Sequence, residues 1–185
     1  MPALAAVQTE TIILIRHGEK PQHGLGQLSC KGLNRALKLP GVIERNFGKP
    51  DAIFAPNPAR LKKDQGKPYA YVRPLATVEP TAIHYALPVD TRFGYDEIDG
   101  LKDALMQPDY HDRTVLVAWE HKQLVRLVRQ LLKDNNGDKN VAPKWPHDDF
   151  DGIFVVKIER NNGQKMASFE RLSQNLNGLS EACPQ

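Results

Sequence analysis

Two short stretches hold the residue types that do chemistry. "TIILIRHG" runs from Thr11 to Gly18 and ends on Arg16 and His17. "TVLVAWEH" runs from Thr114 to His121 and ends on Glu120 and His121. Each begins as an unbroken apolar run, the pattern of a strand covered on both faces. In open parallel sheets, ligands bind beyond the carboxyl ends of the strands. If the two strands are parallel, two histidines and an arginine converge on one cleft. A neutral imidazole there can attack an electrophile, and a guanidinium can grip a phosphate in bidentate fashion. Gly18 would let the backbone approach a ligand closely. The chemistry indicated is phosphoryl transfer, with charge stabilised by arginine and histidine rather than by a metal.

The elements that must position these residues alternate between strand and helix. "LSCKGLNRALKLPGVIERNF" has helical apolar spacing, with Ser29 as N-cap and a break or kink at Pro40. "DAIFA" (51–55) reads as a second strand. Residues 56–72 are rich in proline and in basic residues and read as a surface loop. "RPLATVEPTAIHYA" reads as a helix interrupted or started near Pro80. "KQLVRLVRQLLKD" is amphipathic, with Leu124, Val125, Leu127, Val128, Leu131 and Leu132 on one face, and "NNGDKN" ends it. Residues 134–151 read as loop. "GIFVVKIERNNGQKMASFERL" reads as two strands turning at Asn161-Asn162-Gly163. The prediction is an α/β fold: a three-layer α/β/α sandwich whose mostly parallel central sheet includes an antiparallel edge strand.

The 185 residues suit one domain, 1–185, large enough for a real core. Charged residues at 25% and apolar ones at 41% exclude a disordered chain. A net charge of +3, with no aromatic interleaving of the basic cluster between Arg60 and Arg73, argues against a nucleic-acid partner. That cluster is either a solvated loop or a positive rim for an anionic substrate. No apolar run reaches the length of a membrane span. The start, "MPALAAVQTE", lacks the basic region of an export signal, although "ALAA" resembles a cleavage site. The expected location is the cytoplasm, with export and a removed signal as the alternative. Cys30 and Cys183 are either free or paired with each other, and the sequence requires neither. No cysteine–histidine zinc spacing is present, and no metal site is expected. His111-Asp112 and His147-Asp148-Asp149 match no metal-ligand pattern and read as exposed loop. His84 reads as packing or surface, and Trp119 as core more than pocket wall. Oligomeric state is left open.

Beyond these residues, "LIRHGEK" resembles the signature of the histidine phosphatase superfamily, the phosphoglycerate-mutase-like proteins. "LSCKGLNRA", "RPLATVEPTAIHYALPV", "YDEIDGL" and "TVLVAWEHKQLVRLVRQLL" are similar to further family segments, in the same order. The resemblance covers roughly residues 11 to 160. It implies that His17 is the nucleophile that becomes phosphorylated. It implies that Arg16 and Arg73 bind phosphoryl oxygens, and that His121 completes the phosphate pocket and stabilises the transition state. It makes Glu97 the candidate proton donor, with Asp96 and Asp99 as neighbours that could serve instead. Glu19 either orients a neighbour or is plain surface. "WEHK" departs from the family pattern, in which a small residue precedes the histidine and glycine follows it. The implied activity is a metal-independent, cofactor-free phosphatase acting on phosphomonoesters, small molecules or phosphoproteins. A mutase-type phosphoryl transferase and a non-catalytic phospho-ligand module are the alternatives. Pocket walls are expected from loops 20–28, 56–72 and 134–150.

Overall fold

The computed structural model describes residues 7–185; the "ALAA" segment lies outside the described residues. Strand β1 spans Gln8–Arg16 and helix α1 Cys30–Phe47, followed by β2 at Ala52–Phe54. Lys62–Asp64 and Lys67–Tyr69 form β3 and β4, and α2 spans Arg73–Tyr85. β5 at Val89–Asp90 and α3 at Ile98–Leu105 precede β6, Thr114–Trp119, and α4, His121–Asp134. β7 and β8 span Gly152–Asn161 and Gln164–Ser173, and single 3-10 turns lie at Pro108–Tyr110 and Lys139–Val141.

One six-stranded sheet runs in the order β5–β2–β6–β1–β7–β8. β5, β2, β6 and β1 are parallel, and β7 pairs antiparallel with both β1 and β8. The reversed strand is thus β7, one place in from the edge strand β8. Period-two alternation divides the core between the two faces of the sheet. Ile12, Leu14, Val115, Val117, Trp119, Phe154 and Val156 meet Leu101 and Leu105 of α3 and the apolar stripe of α4. Ile13, Ile15, Leu116, Ala118, Ile153 and Val155 meet Leu39, Val42 and Ile43 of α1 and Val78 and Ala82 of α2. Helices therefore cover both faces, in three layers.

Local signals explain most boundaries. Ser29 caps α1 by accepting from the Gly32 N–H. The β7–β8 turn places Asn162 and Gly163 at positive φ, 48° and 79°. Pro40 and Pro80 do not end their helices: α1 and α2 run through them. A proline inside a helix forfeits a hydrogen bond. Here the residues on either side, Leu39 and Val42, Val78 and Ala82, stay packed on the sheet, and that burial holds the helix together. Residues 56–72 are more than a loop, because they contain the β3–β4 hairpin and bury Asp64 and Tyr71. The two-residue β5 is too short for a periodic signal, whereas α3 buries Ile98, Leu101 and Leu105 at helical spacing that the sequence reading leaves unassigned.

Cys30 and Cys183 form a disulfide, which ties the C-terminal tail to the first turn of α1. A buried ion network reinforces this. Arg35, on α1, is fully buried and donates to both carboxylate oxygens of Glu19 at 2.9 and 2.7 Å and to Asp151 at 2.8 Å. Asp151 in turn accepts from the backbone N–H of Asn175 and Leu176. Glu19 is therefore an orienting residue, anchoring the loop that follows His17.

Candidate active site

The parallel register sets Arg16 opposite Trp119, and the His17 N–H donates to the Trp119 carbonyl at 3.2 Å. The next residues along β6 are Glu120, the N-cap of α4, and His121, its first residue. Both strands consequently deliver their histidines to the same sheet edge, as the two apolar runs implied.

His17 is buried, 4% exposed. Its Nδ1 lies 2.8 Å from the Gly18 carbonyl, so that nitrogen carries the proton and Nε2 is the free lone pair. Burial, with Arg73 and Arg16 close by, pushes the imidazole down to about 3, despite the Gly18 hydrogen bond. The ring is a neutral base at any physiological pH. Tyr71 packs edge-on against it at 6.0 Å between ring centroids, and Phe150 lies at 6.1 Å.

Gly18 has a packing reason to lack a side chain. A side chain there would meet the Gly32 backbone at 3.0 Å, and one on Gly32 would meet the Glu19 carbonyl at 2.3 Å. The two glycines let the loop after His17 lie directly on the start of α1. The Gly18 N–H donates to Thr77 Oγ1, fastening the loop to α2 as well.

Arg16 is fixed by the loop 145–151. Its Nη1 donates to the carbonyls of His147 at 2.6 Å and Asp149 at 3.1 Å, and its guanidinium lies 3.9 Å from the Phe150 ring centroid. That loop is held by Trp145 Nε1, which donates to the Asp149 carbonyl, and by Asp149 Oδ1, which accepts from the N–H of Asp151 and Gly152. The His147–Asp149 segment, read as exposed loop, is thus a structural wall of the site. Among the described residues no cluster of three metal-ligating side chains occurs.

Arg73 opens α2, and its two Nη groups grip both oxygens of Asp64 at 2.8 and 3.1 Å. Nη1 also donates to the Gly24 carbonyl. Asp64 comes from the β3–β4 hairpin and accepts from the Gly26 N–H at 2.9 Å. Burial alone would raise the Asp64 carboxyl, but Arg73 and Gly26 outweigh it and hold it below its ordinary value. Gly26 has φ +68°, and a Cβ there would sit 2.0 Å from the Ala70 carbonyl. Only glycine lets loop 20–28 seat against the hairpin. The hairpin also brings Lys62 Nζ to 4.2 Å from the Tyr95 ring centroid and 5.6 Å from that of Tyr71.

Buried polar atoms without a protein partner collect here. Arg16 Nε, Arg73 Nε and the Tyr71 hydroxyl are all in this state. Such donors are rare in folded proteins, and these three surround one imidazole.

Glu120 is the residue to which the sequence assigns no role. It is buried, accepts from the Gln123 N–H at 3.0 Å, and places Oε1 3.0 Å from His121 Nδ1. The approach to Nδ1 is out of line for a ring N–H donor, so the two groups touch without a directed hydrogen bond. Burial would raise this carboxyl, but the His121 ring and the Gln123 N–H hold it down to about 2. Its position at a strand end before a helix was the available signal; its burial was not.

Glu97 is exposed, with Oε2 accepting from the Gly94 N–H at 2.6 Å. It precedes α3 in a segment whose Tyr95 packs against Tyr71 at 5.5 Å. Its neighbours are committed elsewhere: Asp96 to Arg60, and Asp99 to Arg126 and Gln130. His84 packs edge-on against Tyr85 at the C-terminal end of α2, the opposite end from Arg73. Trp119 is fully buried in the core and donates to the Tyr95 carbonyl.

No family model matches the chain, and no curated protein does. Solved structures do. SixA from Nakamurella multipartitia, a candidate phosphohistidine phosphatase, is 17% identical, covering 90% of this chain and 95% of that one at a TM-score of 0.59. A phosphoglycerate mutase from Plasmodium falciparum is 14% identical over 96% and 98%, at 0.58. A mycobacterial glucosyl-3-phosphoglycerate phosphatase is 13% identical over 89% and 98%, at 0.56. At these identities the likeness is one of architecture, and the chain has the phosphoglycerate-mutase-like fold that the superfamily signature implied.

Proposed function

We propose that this protein is a metal-independent phosphomonoesterase that works through a phosphohistidine at His17. One observation carries the reading: a neutral, buried imidazole with Nε2 free, ringed by buried donors that have no protein partner. A phosphoryl group there would have its equatorial oxygens met by Arg16, Arg73 and the Tyr71 hydroxyl.

In the first step His17 Nε2 attacks phosphorus and the bond to the ester oxygen breaks. The Gly18 carbonyl, holding Nδ1–H, stabilises the positive charge that develops on the ring. The leaving oxygen takes a proton, for which Glu97 is the proposed donor, its Oε1 being uncommitted. Water, giving a proton to the Glu97 carboxylate, then attacks the phosphohistidine; the P–N bond breaks, inorganic phosphate leaves, and the imidazole and the Glu97 carboxyl are both restored. His121 flanks the phosphoryl group, with Glu120 fixing its Nδ1 side. Glu120, ionised at all working pH values, has no proton to give.

Hydrolysis is favoured over mutase transfer because the one evident insertion, 56–72, is a short hairpin committed to holding Arg73. The structures sharing this fold include both kinds of enzyme. Small phosphate esters and phosphoproteins both remain substrate classes. The Cys30–Cys183 bond supports the exported alternative over the cytoplasm, because disulfides persist in oxidising compartments. Among the described residues no helix is long and apolar enough to cross a membrane.

The test is to quench the enzyme during turnover of a chromogenic phosphate ester and look for acid-labile, base-stable phosphate on His17. His17→Ala should abolish both label and turnover, and vanadate should compete with substrate. Full turnover in His17→Ala would end the mechanism. Phosphate binding with neither label nor turnover would favour the binding module.

A further inference from the structure

Beside His121 lies a cavity of about 290 Å3, lined by His121, Lys122, Val125, Lys144, Trp145 and His147. Ligand pockets run from roughly 300 to 1,000 Å3, so this one has room for a single ring-sized group. It shares His121 with the proposed phosphate site. It also shares the 145–149 loop, whose carbonyls hold Arg16. The cavity therefore adjoins the proposed phosphate site through His121 and through the loop that holds Arg16.

The walls have a definite chemistry. Val125 and Trp145 are buried and make an apolar floor. The indole is locked, by its bond to the Asp149 carbonyl and by packing on Phe154 at 4.2 Å between ring centroids. A rigid flat wall suits a flat partner, since offset or edge-on ring contacts add to the area buried. The rim is cationic. Lys122 and Lys144 are exposed, and among the described residues neither has an ion-pair partner. No acidic side chain lines the cavity. Lysine stems can cover an apolar body while their ammonium groups stay at the mouth.

We propose that this cavity is the leaving-group subsite. It selects phosphomonoesters whose organic part is a flat apolar body, an aromatic ring in the simplest case, bearing a second anionic group that Lys122 and Lys144 meet at the rim. The proposal rests on the phosphomonoesterase reading. Lys122 stands where the superfamily pattern has glycine, so this rim belongs to this chain's own sequence.

The experiment compares full-length enzyme with the double variant Lys122→Ala/Lys144→Ala. The substrates are phenyl phosphate, 4-carboxyphenyl phosphate, 1,4-phenylene bisphosphate and glycerol phosphate. Wild type should prefer phenyl over glycerol phosphate, and each doubly anionic aryl ester over phenyl phosphate. An exposed ion pair gives at most about fivefold. The preference for 4-carboxyphenyl over phenyl phosphate, as a ratio of kcat/KM, should therefore fall about tenfold in the double variant. A larger fall for the bisphosphate identifies phosphate as the second anion, and a larger fall for the carboxylate identifies carboxylate. A ratio unmoved by the double substitution, or glycerol phosphate preferred over phenyl phosphate, overturns the proposal.

Failure of the chemistry is kept separate by calorimetric titration with 4-carboxybenzylphosphonate and benzylphosphonate, which need no turnover. If no ester is hydrolysed, the enzymatic reading fails. The subsite then stands or falls on whether wild type binds the carboxylated phosphonate more tightly than the plain one and the double variant does not. Absence of binding by either phosphonate also overturns it.

Discussion

The depressed basicity of His17 has two measurable consequences that a surface histidine would not produce. In the folded chain the ring titrates at about 3, and in the unfolded chain near the ordinary value of 6.5. At pH 5 an ordinary histidine is only about 3% neutral, whereas one titrating at about 3 is about 99% neutral. The nucleophile should therefore stay fully available at pH 5, and the acid limb of kcat/KM should not follow a group near 6.5. The same shift acts on stability. Between pH 6.5 and 3 the unfolded state binds a proton that the folded state refuses. Stability is therefore fully present above 6.5 and falls as pH drops through that window. The loss owed to His17 between pH 8 and pH 5 is about 2 kcal/mol.

The assay is urea unfolding at both pH values, in phosphate-free buffer, for wild type and His17→Gln. A bound anion would stabilise the charged ring and mask the effect, which is why phosphate is left out. Other groups titrate in this range. Glu10, which burial pushes up to about 7 against its pairing with Arg160, contributes with the opposite sign. These groups are common to both chains and cancel in the difference. Wild type should lose about 2 kcal/mol more than the variant on going to pH 5. Equal losses would mean that His17 takes up its proton normally, and the argument for a permanently neutral nucleophile would collapse.

Three further outcomes are expected. Asp64→Asn breaks a buried pair and leaves Arg73 without its counter-charge, so unfolding stability should fall by about 3 kcal/mol. The inhibition constant of vanadate should rise with it; an unchanged constant would show that Asp64 does not position Arg73. Glu97→Gln should lower kcat about a hundredfold for glycerol phosphate but little for 4-nitrophenyl phosphate, whose leaving group needs no proton. An equal fall for both esters would remove Glu97 from the donor role. Reducing the Cys30–Cys183 bond should cost about 3 kcal/mol, which for a chain of this size is roughly 6–12 °C in Tm. A scan unaffected by dithiothreitol would mean the two cysteines are not joined in solution.

The strand-end histidines were legible because two local signals coincided. A continuous apolar run declares a buried parallel strand, and a charged pair at its end has only the sheet edge to occupy. Arg16, His17 and His121 follow from that rule with no knowledge of distant contacts. Arg73 was legible only through the family resemblance, because the sequence left its helix start open. What fixes it, the Asp64 clamp, comes from a hairpin whose strands are three residues each and mostly exposed. Such strands have no face to bury, so no alternation marks them. Glu120 was missed for a related reason: an N-cap glutamate before an amphipathic helix reads as ordinary capping, and only packing shows it pressed against His121.

The same contrast explains why the supports of the site lie so far from it in sequence. A nucleophile at a strand end sits on a free loop, and its geometry is only as sharp as that loop is rigid. Here the loop is held at the two residues directly after His17. Gly18 is bonded to Thr77 and pressed on Gly32, and Glu19 is gripped by Arg35. Arg35 shares its charge with Asp151, which holds the tail that the disulfide closes. These links join positions 14 to 153 residues apart, and none generates a periodic pattern. Propensity and hydrophobic spacing report what each element does alone, so the catalytic atoms could be read there, while the clamps that immobilise them could be seen only once the chain was folded.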